Sequence, residues 1–143
     1  MSQKRFGELP PRYAFALNPY QEWRCTTCPQ CEKPTRLRKF ALLIGIEEFG
    51  LMVLGKTCRF CPACDFIIVH QDELEALLAA SFAMRQPEVI GRDYFVIGTV
   101  ERKTWRGGMH DAISPDELVR HAADFAKEFD LHYEPGGWYR QEP

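Results

Sequence analysis

The sequence predicts an α+β fold: a β-hairpin with a third strand and a packed helix, followed by a β-α-(β) C-terminal part. Three observations carry that expectation. Two apolar, partly alternating runs, Thr35–Ile46 and Phe49–Gly55, flank the polar pair Glu47-Glu48, which is the pattern of a hairpin. Two cysteine triplets, Cys25/Cys28/Cys31 and Cys58/Cys61/Cys64, stand on either side of that hairpin. Downstream, Ser114-Pro115-Asp116-Glu117 sets an N-cap serine, a proline at the first helical position and a glutamate three residues after the cap, a capping box that opens a helix.

Taken in order, residues 1–24 carry Pro10, Pro11 and Pro19 among Tyr13, Phe15, Tyr20 and Trp23. Prolines at that density disfavour a helix, so this stretch reads as an extended arm pinned by aromatics. Residues 25–70 form the cysteine-bearing module, whose third strand is the apolar run Phe66–Val69, ending at His70. Asp72 and Glu73 then open a helix whose Leu74, Leu77, Leu78, Ser81 and Phe82 share one face; it ends before Pro87. Tyr94–Val100 reads as a strand, and Trp105–Ile113, with Gly107 and Gly108, as a loop. The capped helix presents Leu118, Ala122, Phe125, Ala126 and Phe129 on one side, and Leu131–Glu134 is a last short strand before Pro135-Gly136-Gly137. Residues 71–143 are expected to pack on the cysteine module as one compact unit.

At 143 residues and 45% apolar content, with ten Phe, five Tyr and three Trp, the chain has enough to bury a core. Its start shows no apolar run behind Lys4-Arg5, unlike a secretory signal. Phe40–Ile46 and Phe66–Val69 are too short to cross a bilayer. The expectation is a soluble, cytoplasmic protein without a membrane contact, and in a reducing compartment clustered cysteines read as metal ligands before disulfides. Residues 1–64 hold ten Lys/Arg against five Asp/Glu (+5), and residues 65–143 hold eight against fifteen (−7). The cysteine half therefore offers a modest basic face, or the two halves simply attract each other.

Each triplet contains one Cys-Pro-x-Cys: Cys28-Pro-Gln-Cys31 and Cys61-Pro-Ala-Cys64. A tight turn of this spacing presents two thiolates to one tetrahedral ion, and two turns supply the four sulfurs of a closed structural zinc site. Paired knuckles at the ends of a hairpin resemble the zinc-ribbon group over roughly residues 25–70. The resemblance implies one zinc per chain held by Cys28, Cys31, Cys61 and Cys64. The glycine common after such knuckles is replaced by Glu32 and Asp65. Cys25 and Cys58 stand three residues before each knuckle, placed either to exchange as accessory thiols or to sit as small buried hydrophobes; the four-ligand limit of one zinc favours the second. An iron–sulfur cluster is the alternative cofactor, because Cys-x-x-Cys-x-x-Cys opens a ferredoxin-type run, although both copies lack its fourth cysteine.

The remaining candidates are less specific. His70 ends the third strand near the second knuckle, where it would cap the strand or approach the metal's surroundings. His110-Asp111 offers an acid–base pair but has no neighbouring nucleophile, so no catalytic residue is named. Arg36, Arg38, Lys39 and Arg59 follow or lie within the knuckles and are the candidate nucleic-acid contacts. The leading expectation is a non-catalytic zinc-binding module that engages a protein partner. A nucleic-acid-binding zinc ribbon and a small enzyme with its site in the C-terminal half are the alternatives.

Overall fold

A computed structural model describes residues 6–101 and 115–131, the side chains of residues 115–117 excepted. The expected hairpin is the centre of the molecule. Strand β2 (Arg36–Ile46) and strand β3 (Gly50–Cys61) pair antiparallel along their whole length, from Arg36 opposite Phe60 to Ile46 opposite Gly50. The turn closes with the Phe49 amide donating to the Ile46 carbonyl, and Gly50 takes a φ of 117°, a value open to glycine and costly for other residues. Strand β4 (Phe66–His70) returns antiparallel to the end of β3.

The N-terminal arm contributes strand β1 (Ala14–Asn18), which lies parallel to β4 on one side and to strand β7 (Lys127–Phe129) on the other. Strand β5 (Tyr94–Val100) pairs with β2, and strand β6 (Ala122–Asp124) pairs with β5. Among the described residues seven strands form one sheet, in the order β6-β5-β2-β3-β4-β1-β7. Its two outer members, β6 and β7, are halves of one segment joined by Phe125 and Ala126. The Phe125 amide donates to Ile97 of β5 and the Ala126 amide to the Tyr13 carbonyl just before β1. The sheet therefore curls until this segment closes it, leaving few free edges.

Strict alternation sorts the side chains. Phe40, Leu42, Ile44 and Ile46 of β2 point into the closed sheet with Phe15, Ile67, Val69, Val96 and Phe125. Ala41 and Leu43 point outward against Leu118 and Ala122. Helix α1 (Gln71–Phe82) starts immediately after β4 and drives Leu74, Leu78 and Phe82 into the interior cluster. Each such side chain contributes on the order of 1.5–3 kcal/mol when fully buried. A single 3-10 turn, Pro87–Val89, leads to β5. Among the described residues no helix is long and apolar enough to cross a membrane.

The expected C-terminal helix takes a different form. The second helix, α2, spans only Pro115–Arg120, and Ala122, Phe125, Ala126 and Phe129, expected on its apolar face, belong to the closing segment instead. The open edges of β5 and β1 offer unpaired amides and carbonyls, and pairing with them outweighs the weak helical preference of a short sequence. Gly98 permits that pairing: a Cβ there would lie 2.0 Å from the Ala123 carbonyl oxygen. The Ser114 cap, the Trp105–Ile113 loop and most of Leu131–Glu134 lie outside the described residues.

Candidate metal centre

The two knuckles meet at the base of the hairpin. The first sits in a small loop before β2, closed by the Cys28 amide donating to the Lys33 carbonyl (2.8 Å), the Glu32 amide to the Cys28 carbonyl (2.8 Å) and the Thr35 amide to the Thr26 carbonyl (2.9 Å). The second is the turn from β3 to β4, so Cys61 is the last residue of a strand and Cys64 lies two residues before the next. Glu32 and Asp65, where glycine was missed, adopt left-handed φ of 66° and 55°. Both knuckles thus keep the backbone that glycine would supply, at a conformational cost that other contacts offset.

The sulfurs of Cys28, Cys31, Cys61 and Cys64 all lie within 4.8 Å of one another. Cys31 and Cys61 approach to 3.5 Å, and Cys28 and Cys64 to 4.0 Å. A tetrahedron with metal–sulfur bonds of about 2.3 Å has sulfur–sulfur edges of about 3.8 Å. The group is therefore suited to hold a metal ion. Its electrostatics agree: the Lys33 amide aimed at Cys31 lowers that thiol to about 7, whereas Cys31 beside it pushes Cys64 up to about 12 and burial raises Cys28. Cys28 and Cys64 thus resist ionising beside the neighbouring sulfurs, and a cation held among them would offset that with release of protons.

Cys25 and Cys58 lie apart from this group. Cys58 points into the closed sheet, donates to the Lys56 carbonyl at 3.3 Å, and is pushed up to about 12 by burial. Cys25 is buried with the knuckles against Ala16, Phe66 and Ile68, and burial raises it to about 11. High thiol pKa and loss of solvent make both poor nucleophiles. Cys25 also adopts a positive φ of 55°.

Sequence reasoning missed the polar cluster next to Cys25. Asn18, 1% exposed, places its amide nitrogen 2.6 Å from the Trp23 carbonyl, 3.1 Å from His70 Nδ1 and 3.6 Å from Cys25 Sγ. His70 is buried there, and burial lowers its pKa; accepting from Asn18 leaves Nδ1 unprotonated. Lys56, 6% exposed, binds Glu73 at 2.8 Å and the Thr57 carbonyl at 2.6 Å, and Arg24 also pairs with Glu73. The only sequence signal was the alternation of β3, which puts Lys56 on the same face as Phe40.

The four candidate nucleic-acid contacts do not share a sheet face. Cross-strand pairing puts Arg36 and Arg38 on the face of Phe60 and Cys58, while Lys39 and Arg59 lie on the face of Leu37 and Thr57. His110 and Asp111 lie outside the described residues. Comparisons with family models, with curated proteins and with solved structures find no match.

Proposed function

We propose that this protein is a non-catalytic module built around one structural zinc ion held by Cys28, Cys31, Cys61 and Cys64, and that it engages a protein partner. The observation that carries the metal reading is the near-tetrahedral spacing of four sulfurs within 4.8 Å at the base of the central hairpin. Four thiolates fill a tetrahedral zinc and leave no position for water or substrate, so the ion supplies structure. Support for a protein partner comes from apolar side chains left in solvent near the end of α1. Met84 is 94% exposed, with Leu77 seven residues earlier, and Phe49 packs edge-on against Phe82 while remaining 37% exposed. Exposed apolar groups gathered in one region mark interaction surfaces.

Elemental analysis of protein purified under reducing conditions tests the metal. One zinc per chain is expected, lost in Cys61→Ser and retained in Cys58→Ala; iron with visible absorption would replace this reading with a cluster protein. A photo-crosslinking residue at position 84 or at position 59, activated in cells, tests the partner. Protein adducts at 84 support the reading, and nucleic-acid adducts at 59 would transfer the function to the nucleic-acid alternative.

A further inference from the structure

A cleft of about 660 Å³, lined by none of the four clustered cysteines, lies between residues 38–41 of β2 and the segment Leu9–Tyr13. Its origin is topological. β2 pairs with β5 only from Leu42 to Ile46, and beyond Thr99 β5 follows β6 instead, so the two strands part. The far wall is held in place by the parallel bridge of Leu9 with Ala123 and by the Arg12 amide donating to the Asp124 carbonyl at 2.9 Å. Pro10 and Pro11 stiffen the stretch between these two anchors.

The cleft's charge and aromatic content point to a ligand class. The Arg12 guanidinium lies 4.4 Å over the Tyr13 ring, and that of Arg38 lies 4.8 Å over Phe40 and 5.0 Å over Phe60. The three rings brace one another at centroid separations of 5.4 to 5.9 Å. A guanidinium stacked this way uses its face for the ring and keeps its coplanar N–H donors for an anion, with less side-chain entropy left to lose. Lys39 adds a third cation to the lining, and the lining carboxylate, Glu101, is engaged by His121 Nδ1 at 2.9 Å. Arg12 has Asp65 at 3.9 Å, but both groups are at least half exposed, so that pair is weak and readily exchanged.

We infer that this cleft binds a phosphate-bearing ligand of nucleotide size, its phosphate held by Arg12 and Arg38. The volume is in the range of small-molecule sites, roughly 300–1,000 Å³, and planar bidentate forks match phosphate oxygens. The same chemistry is offered by a free nucleotide and by the backbone of a single strand. The inference makes no use of the metal.

Calorimetric titration of the metal-replete full chain tests it, with ADP and with a thymidine octanucleotide as probes, at low and at moderate salt. Saturable binding is expected, weakened roughly tenfold or more in the Arg12→Gln/Arg38→Gln double variant. Arg85→Gln, an exposed charge just after α1 and outside the cleft lining, leaves it unchanged. Unaltered melting temperatures of the variants separate lost contacts from lost folding. Tighter binding of ADP assigns the site to free nucleotides, and tighter binding of the octanucleotide assigns it to a strand. Absence of binding by both probes, or binding that the double variant leaves intact, overturns the inference.

Discussion

Glu32 and Asp65 show how a residue of the wrong type can hold the right backbone. Each occupies the left-handed region at a knuckle, where an L side chain costs roughly 1–2 kcal/mol and glycine costs only its greater freedom in the unfolded chain. Glu32→Gly should therefore raise stability by about 0.5–1 kcal/mol in denaturant titration while metal content stays the same. His70 sets a pH dependence of its own. Its folded-state pKa lies below the ordinary value of 6.5 because it is buried. As pH falls below that ordinary value the unfolded chain takes up a proton that the folded chain does not, so stability falls toward acid. His70→Gln removes this component, and the variant should lose less stability than wild type between pH 7 and the onset of His70 protonation, as read by thermal melts across that range. An identical slope for the two proteins would show that His70 titrates alike in both states. None of this was legible in the sequence beyond the position of the histidine, because burial and the Asn18 contact arise from β1 and β4 lying side by side.

At the level of elements, legibility followed the range of the interactions. The β2–β3 hairpin, β4, α1 and β5 were expected near where they lie, since alternation, helical spacing and turn residues are local signals, although β3 runs past its expected end at Gly55 to Cys61. β1 and the closing segment β6–β7 were not, because what makes them strands is distant: Ala14 pairs with Phe66 and with Lys127. The apolar spacing of Leu118, Ala122, Phe125 and Phe129 fits a helix as well as it fits a bent strand, and the partner edges decide. Phe125 is the pin of that segment, stacked on Phe15 at 4.3 Å with planes 5° apart inside the sheet. Phe125→Ala is expected to destabilise by roughly 3–4 kcal/mol in equilibrium unfolding. A loss much below that would mean that backbone pairing alone closes the sheet. The four cysteines were legible for the opposite reason, since their spacing within each knuckle is local and the hairpin between them brings the pairs together.

For the whole molecule, the knuckles are more than a staple on the hairpin. Cys25, Cys28 and Cys61 pack with Ala16, Phe66 and Ile68, with partly buried Trp23, Phe129 and Leu131 against them, so the outer face of β1, β4 and β7 is covered by the cysteine loops. With the ion proposed above held by the four sulfurs, its withdrawal should expose that face across strands that lie far apart in the sequence. Chelator treatment is thus expected to give one cooperative loss of structure, with amide protection in β5 and β6 falling together with that in β2 and β3 in hydrogen-exchange experiments. Protection that survives in β5–β6 would show that the closed sheet stands without the loop. The parallel placement of β1 between β4 and β7 also bears on the order of events during synthesis. On a ribosome adding roughly 5–20 residues per second, both knuckles and the hairpin emerge well before Lys127–Phe129. A nascent chain loaded with metal at that stage would hold β2, β3 and β4 assembled while one flank of β1 waits for β7, the last of the described strands, to leave the exit tunnel.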